Sequence, residues 1–287
     1  RCDFSCCFFD KNLRSIAQSF SQPNHLGSLG GTVKQAVQEY GSENLFPGDQ
    51  IVTNYPYPGG AHLNDIVVIA PFYYQNEIFG YIANTAHHVD VGGGAPASIG
   101  AFREVFQEGV IIPPVKLVEG GKIVDDIFRL IIAQIRSKRE TTGDFRAQFA
   151  ANNTGVRRLK TLLDRYKKDL VNFYIDELVE YTDRLTVAEL AKLPKGDYKA
   201  ESYIDNDGFT DVPVRLMVRV LIDENGVVRD LSSVISDLNP TTINQNTIEK
   251  IKKINLNKLP KVSEDVRIGS CVANPEKFIG IGLNYSD

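Results

Sequence analysis

Hydrophobic and polar positions change rhythm several times along this 287-residue chain, and each change marks an element. Asp3 to Asp10, carrying Phe4, Cys6, Cys7, Phe8 and Phe9, predicts a strand, followed by a turn at Lys11-Asn12 and a second strand or short helix through Ile16-Ala17-Gln18. A loop from Ser21 to Ser28 holds His25. From Leu29 to Tyr40 the spacing is helical, with Val33, Val37 and Tyr40 on one face and Gly41 as the stop. Ile51 to Asn54 returns to strand and runs into Tyr55-Pro56-Tyr57-Pro58-Gly59-Gly60, a loop, since proline cannot donate to a ladder. Ile66 to Tyr74 and Ile78 to Ala86, separated by the polar Gln75-Asn76-Glu77, predict a hairpin.

A smaller hairpin is expected where Val115 to Val118 and Lys122 to Val124 flank Gly120-Gly121. The chain then turns helical over Asp126 to Arg136, Gly143 to Lys168 and Leu170 to Leu193, until Pro194-Lys195-Gly196. Strand alternation resumes over Tyr198 to Ile204, Val212 to Asp223 and Val227 to Ile235, with Glu224-Asn225-Gly226 as a turn. The expected class is α+β: a strand-rich N-terminal part, a central helical block and a further antiparallel β region.

The predicted hairpin brings chemistry together. All four histidines, His25, His62, His87 and His88, fall in the first third of the chain, and three share a stretch with Asp65 and Asp90. With Gln75-Asn76 as a two-residue turn, counting outward sets Asp65 opposite Ala86 and Asn64 opposite His87, with His62 nearby at the open end. Strict strand geometry puts residues 62 and 65 on opposite faces, so one must leave the ladder, and Gly59-Gly60 lets the backbone curl. Three nitrogen and oxygen ligands, His62, Asp65 and His87, suit zinc, manganese or iron and leave positions open for substrate. From spacing alone these histidines read equally as hydrogen-bonded loop residues. His88 and Asp90 are candidate catalytic residues that tune a metal or move protons, or else plain surface polar residues, because His87 and His88 point to opposite sides of extended chain.

Composition narrows the rest. The chain is 24% charged and 43% hydrophobic with a formal net charge of -4, an ordinary globular balance with no basic excess for nucleic acid and no apolar run long enough for a membrane span. Cys2, Cys6, Cys7 and Cys271 form no C-x-x-C pair, and Cys6-Cys7 reads as reduced thiols on a core strand. The expected location is the cytoplasm. Gly92-Gly93-Gly94-Ala95-Pro96 either brings backbone amides near an anionic substrate or is a mobile turn, and it matches neither nucleotide-binding glycine pattern. Asp205-Asn206-Asp207-Gly208 opens like a calcium loop, but Thr210 and Leu216 stand where glycine and glutamate are required, so a turn is expected.

Many stretches carry a resemblance: Asp3-Phe4-Ser5-Cys6, His25-Leu26-Gly27-Ser28, Gly59-Gly60-Ala61-His62-Leu63-Asn64-Asp65, Ala86-His87-His88-Val89-Asp90-Val91-Gly92-Gly93, Ile112-Pro113-Pro114-Val115-Lys116-Leu117 and Gly143-Asp144-Phe145-Arg146-Ala147-Gln148. In this order they resemble the hydantoinase B/oxoprolinase family, from the start to about Ile235. The resemblance implies the B-type component of an ATP-dependent hydrolase that opens 5-oxoproline or hydantoin rings. It further implies a hetero-oligomer in which an A-type partner uses the ATP, and metal ligands at His62, Asp65 and His87. A ketone carboxylase component of the acetone or acetophenone type is the alternative enzyme, and an inactive truncated or chimeric fragment the alternative without activity. One position departs: the family usually reads Asn-Asp-Pro-Tyr where this chain has Asn54-Tyr55-Pro56-Tyr57. The expected division is a partial family domain over 1–235, truncated relative to the family, and a divergent tail over 236–287. That tail, with Val266-Arg267-Ile268-Gly269 and Phe278-Ile279-Gly280-Ile281-Gly282-Leu283, resembles the lead-in to a fumarylacetoacetate hydrolase domain.

Overall fold

Among the described residues, seven strands, three helices and the start of a fourth build the part of the molecule that carries the histidines. The structure, a computed structural model, describes residues 3–19, 22–57 and 59–222, with 246, 249–250, 253–255 and 258–260. The described residues divide into two units, one up to Ile175 and the other from Asp176 onward. The expected strand over Val227 to Ile235 and its preceding turn lie outside the described residues, as does nearly all of the tail resembling the fumarylacetoacetate hydrolase lead-in.

In the first unit the strands are β1 (Phe4–Asp10), β2 (Ser15–Gln18), β3 (Gln50–Thr53), β4 (Asp65–Tyr74), β5 (Glu77–His87), β6 (Val115–Glu119) and β7 (Lys122–Ile123). They form one antiparallel sheet in the order β2-β1-β5-β4-β3-β6-β7. The β4–β5 hairpin lies at its centre, so both strands are apolar on both faces, as their sequences require. Helix α1 (Pro23–Tyr40) covers one face, where Val33 and Val37 pack with Phe9, Ile51, Val67 and Ile69. On the other face α2 (Asp125–Ala133) and α3 (Lys138–Tyr166) enclose Val52, Ile66, Val68, Leu117, Phe145 and Phe149. The fold is thus mixed α and β with an antiparallel sheet, as the alternation of patterns predicts.

Two helix starts and one strand register differ most from expectation. Within the expected Ser21 to Ser28 loop, α1 already starts at Pro23, where the missing N–H and fixed φ suit a helix. Helix α3 begins at Lys138, five residues before Gly143, and takes in Glu140 and Thr141. The hairpin register is also shifted by one. Tyr74 does face Glu77 across Gln75-Asn76, both at positive φ, but pairing jumps between Phe72/Gly80 and Tyr73/Ile78. Phe79 is the extra residue, a bulge whose ring packs 5.9 Å from Phe72 and 6.2 Å from Phe8. Beyond the bulge Asp65 therefore stands opposite His87, not Ala86.

The second unit includes the C-terminal portion of α4 (Lys168–Leu190) and a hairpin of β8 (Gly196–Ile204) with β9 (Val214–Ile222), paired from Gly196↔Ile222 to Ile204↔Val214. Asp205 to Gly208 is a turn, in which Asn206 and Asp207 accept hydrogen bonds from the Gly208 and Phe209 N–H groups. No described helix is long and apolar enough to cross a membrane.

Candidate metal centre

The hairpin mouth presents Asp65 and His87 as opposed residues on adjacent strands, and their side chains meet at 3.3 Å between Oδ1 and Nδ1. His62 reaches the same carboxylate because the chain turns before β4: the Asp65 N–H donates to the His62 carbonyl, and His62 Nε2 stands 3.6 Å from Asp65 Oδ2. The His62 and His87 rings lie edge to face with centroids 5.0 Å apart. One ligand atom from each of His62, Asp65 and His87 fits within 4.8 Å of the other two.

Two features of the 54–63 loop hold His62 there. Asn54, 2% exposed, donates through Nδ2 to the carbonyls of Leu63 and Val110, both at 2.8 Å, and accepts the Ile112 N–H at 2.7 Å. Gly59 lies against the backbone of α1, where a Cβ would come within 2.5 Å of the Thr32 nitrogen and 2.7 Å of the Gly31 carbonyl carbon. Only glycine admits so close an approach.

His25 is the member of the cluster that pattern reading missed. Buried in the first turn of α1, it sets Nε2 3.6 Å from Asp65 Oδ2, while Nδ1 is 3.1 Å from Ser5 Oγ. Pro23 in the position of a first helical residue was the available signal. The electrostatics follow from this crowding. Burial by itself pushes the Asp65 carboxyl up, but contacts with His25 and His87 and the charge of His62 outweigh it and hold Asp65 well below the usual carboxylate range. His87 is raised, chiefly by its contact with Asp65.

The residues fit a divalent metal. Asp65 Oδ2 is buried and has no hydrogen-bond partner, a costly state for a carboxylate oxygen. Two ligands each about 2.1 Å from a tetrahedral ion stand about 3.4 Å apart; His87 is 3.3 Å from Asp65 Oδ1 and His62 3.6 Å from Oδ2, and one ligand atom from each of the three lies within 4.8 Å of the others. Imidazole nitrogen and carboxylate oxygen, with no thiolate nearby, are donors for a borderline to hard ion.

His88 and Asp90 are not brought to this cluster. His88 points to the α3 face, fully buried, with Nε2 2.9 Å from Gln148 Oε1 and its ring against Phe145, and burial lowers its basicity. Asp90 ties its own loop together: it accepts the Gly92 and Ala97 N–H groups at 2.8 Å and pairs with Arg136 at 3.0 Å. The glycine stretch turns inward too, with Gly92 N–H donated to Asp90 and Gly94 N–H to the Gln107 carbonyl. Cys6 and Cys7 are free, on β1, and burial pushes the Cys7 thiol up to about 11.

The model of the hydantoinase B/oxoprolinase family matches residues 1–247. The B component of a putative D-/L-hydantoinase from Pseudomonas sp. (strain NS671) is 29% identical, the match covering 84% of this chain and 42% of that protein. The crystal structure of the ATP-dependent caprolactamase from Pseudomonas jessenii superposes with a TM-score of 0.71 at 32% identity, over 77% of this chain and 39% of that one. A nucleotide-free acetone carboxylase shares the fold, with a TM-score of 0.69 at 18% identity over 78% of this chain and 32% of that one. The chain spans less than half the length of these relatives.

Proposed function

The chain belongs to the hydantoinase B/oxoprolinase family, and from that premise we propose that it is the metal-carrying B-type component of an ATP-dependent hydrolase that opens cyclic amides. The observation that carries this reading is the gathering of His62 and His87 on the buried Asp65 carboxylate, whose Oδ2 makes no hydrogen bond. A hydantoinase component and a caprolactamase among the relatives favour a cyclic amide as substrate. The caprolactamase is ATP-dependent, and the hydantoinase relative is itself one component of a larger enzyme, so the ATP-handling step is assigned to an A-type partner.

In this reading His62, Asp65 and His87 hold the ion, which when bound polarises a carbonyl oxygen or lowers the pKa of water. His25 keeps Asp65 ionised and aimed, with Ser5 fixing the imidazole from its other nitrogen. Half-exposed His62 leaves the cluster open on its solvent side, where a substrate enters. His88 and Asp90 act at a distance: His88 locks the end of β5 to α3 through Gln148, and Asp90 with Arg136 shapes the loop beyond it.

The test is metal analysis of the purified chain alongside His62→Ala, then ATP-dependent ring opening with the A-type partner. One equivalent of metal, lost in His62→Ala, is expected. Protein without stoichiometric metal, or a variant that retains it, overturns the assignment. Labelled bicarbonate supplied with a ketone, ATP and the partner separates the carboxylase alternative, which requires label in the product.

A further inference from the structure

The two ligands supplied by strands, Asp65 and His87, form the last pair of the β4–β5 ladder, and a ladder end frays unless something beyond it holds the chain. Here side chains hold it. Asn64 and His88 make the next pair across the hairpin mouth: the His88 N–H donates to the Asn64 carbonyl at 2.8 Å, and the return bond runs from Asn64 Nδ2 to the His88 carbonyl at 2.9 Å. A hydrogen-bonded antiparallel pair ordinarily exchanges two backbone bonds. At this pair a side-chain amide stands in for one backbone N–H, which frees the chain to leave the ladder and bring His62 round to Asp65.

Helix α3 grips the same two strands through one buried amide. Gln148 Nε2 donates to the Ile66 carbonyl at 2.8 Å, one residue from Asp65. A carbonyl can only accept, so the Gln148 amide is oriented, and its Oε1 receives the hydrogen of His88 Nε2 at 2.9 Å, one residue from His87. The neighbour of each strand ligand is therefore tied to the same point on a helix. One turn further along α3, Asn152 makes bonds of the same kind away from the mouth. Its Nδ2 donates to the Val68 carbonyl and to Gln50 Oε1, both at 3.1 Å, and its Oδ1 accepts from Asn84 at 2.7 Å.

We infer that Asn64 and Gln148 are positioning residues that set the separation and aim of Asp65 and His87, so that the centre is preorganised before an ion arrives. This rests on the metal reading above and deepens it, assigning the preorganisation to two side chains that are not themselves ligands. A ligand set works only when held to within about 0.5 Å of its productive geometry. Without the two amides, the end of the hairpin has only its own backbone bonds to keep it there.

The probe is cobalt(II) titrated into the metal-free chain, read by its affinity and by the visible absorption of the loaded centre, which reports coordination geometry. Thermal melts of the metal-free form report folding. Gln148→Met and Asn64→Leu keep the size of each side chain and lose its amide, whereas Asn152→Leu removes at least as many buried hydrogen bonds one turn away. The two mouth variants are expected to bind one cobalt about 10–100-fold more weakly and with a changed absorption band. Asn152→Leu is expected to melt lower, yet to keep its affinity within about twofold and the wild-type band. Equal weakening in all three variants makes the role structural and overturns the inference, as does wild-type affinity and absorption in the mouth variants. If Gln148→Met does not fold, Asn64→Leu, which removes the bonds of a single donor group, decides alone. The metal reading fails on a different observation: a wild-type chain that takes up no stoichiometric cobalt removes both.

Discussion

Replacing Asn54 by alanine is the sharpest test of how the metal centre is built. This one side chain serves three backbone groups on two segments, the carbonyls of Leu63 and Val110 and the N–H of Ile112. Each buried backbone group left without its partner costs about 1–3 kcal/mol. Water entering the space vacated by the amide recovers part of that, so a net loss of about 3 kcal/mol is expected. Urea unfolding followed by far-UV circular dichroism reads the change. With a slope of about 2–3 kcal/mol/M, the midpoint falls by roughly 1 M. Because Leu63 follows His62 directly, metal affinity falls in the same variant. A midpoint shift under about 0.3 M, with metal binding intact, would refute the claim that Asn54 anchors the loop.

Other perturbations probe neighbouring parts. Gly59→Ala forces a Cβ against the α1 backbone at Thr32, which cannot yield as a side chain can, and is expected to lower stability by about 1–3 kcal/mol in a thermal melt and to weaken metal binding. A melt like the wild type's would show that the approach to α1 is looser than described. His25→Gln removes a neighbour of Asp65 without removing a ligand, so metal titration should show affinity falling by about 10–100-fold, with the same stoichiometry. Loss of stoichiometry would make His25 a ligand, and unchanged affinity would leave it no role. The acid limb of stability isolates a different pair. Burial raises Asp49, but Lys116 and the Gly120 and Phe46 N–H groups outweigh it and hold the carboxyl below its ordinary value. A carboxyl depressed on folding binds fewer protons in the native state, so its contribution is present above about pH 4 and is lost as pH falls through the folded value. The melting-temperature gap between wild type and Asp49→Asn should therefore be full at neutral pH and shrink on acidification. A constant gap would contradict the pairing.

Most elements were legible because each is written in its own segment. Gly120-Gly121 between two short β-rich runs, or Val33, Val37 and Tyr40 at helical spacing, need no information from elsewhere. The errors have physical causes. Three glycines near the start of α1 lowered its apparent propensity, yet burial of Leu29 and Val33 against the sheet overrides that preference. The bulge at Phe79 could not be read because Phe79 and its neighbours suit a regular strand equally well; the packing of its ring with Phe8 and Phe72 chose the register.

By itself the sequence determined which residue types were available for a metal and that His62, Asp65 and His87 would end near one another, since turn chemistry at Gln75-Asn76 folds the hairpin locally. Tertiary structure alone decided the rest. It paired Asp65 with His87 through a bulge, brought His25 from another element to the same carboxylate, and left Asp65 Oδ2 and Asn84 Oδ1 buried without a hydrogen bond. Spacing along a strand is set by backbone geometry, whereas burial, orphaned acceptors and the opposite orientations of His87 and His88 depend on what packs from above and below the sheet.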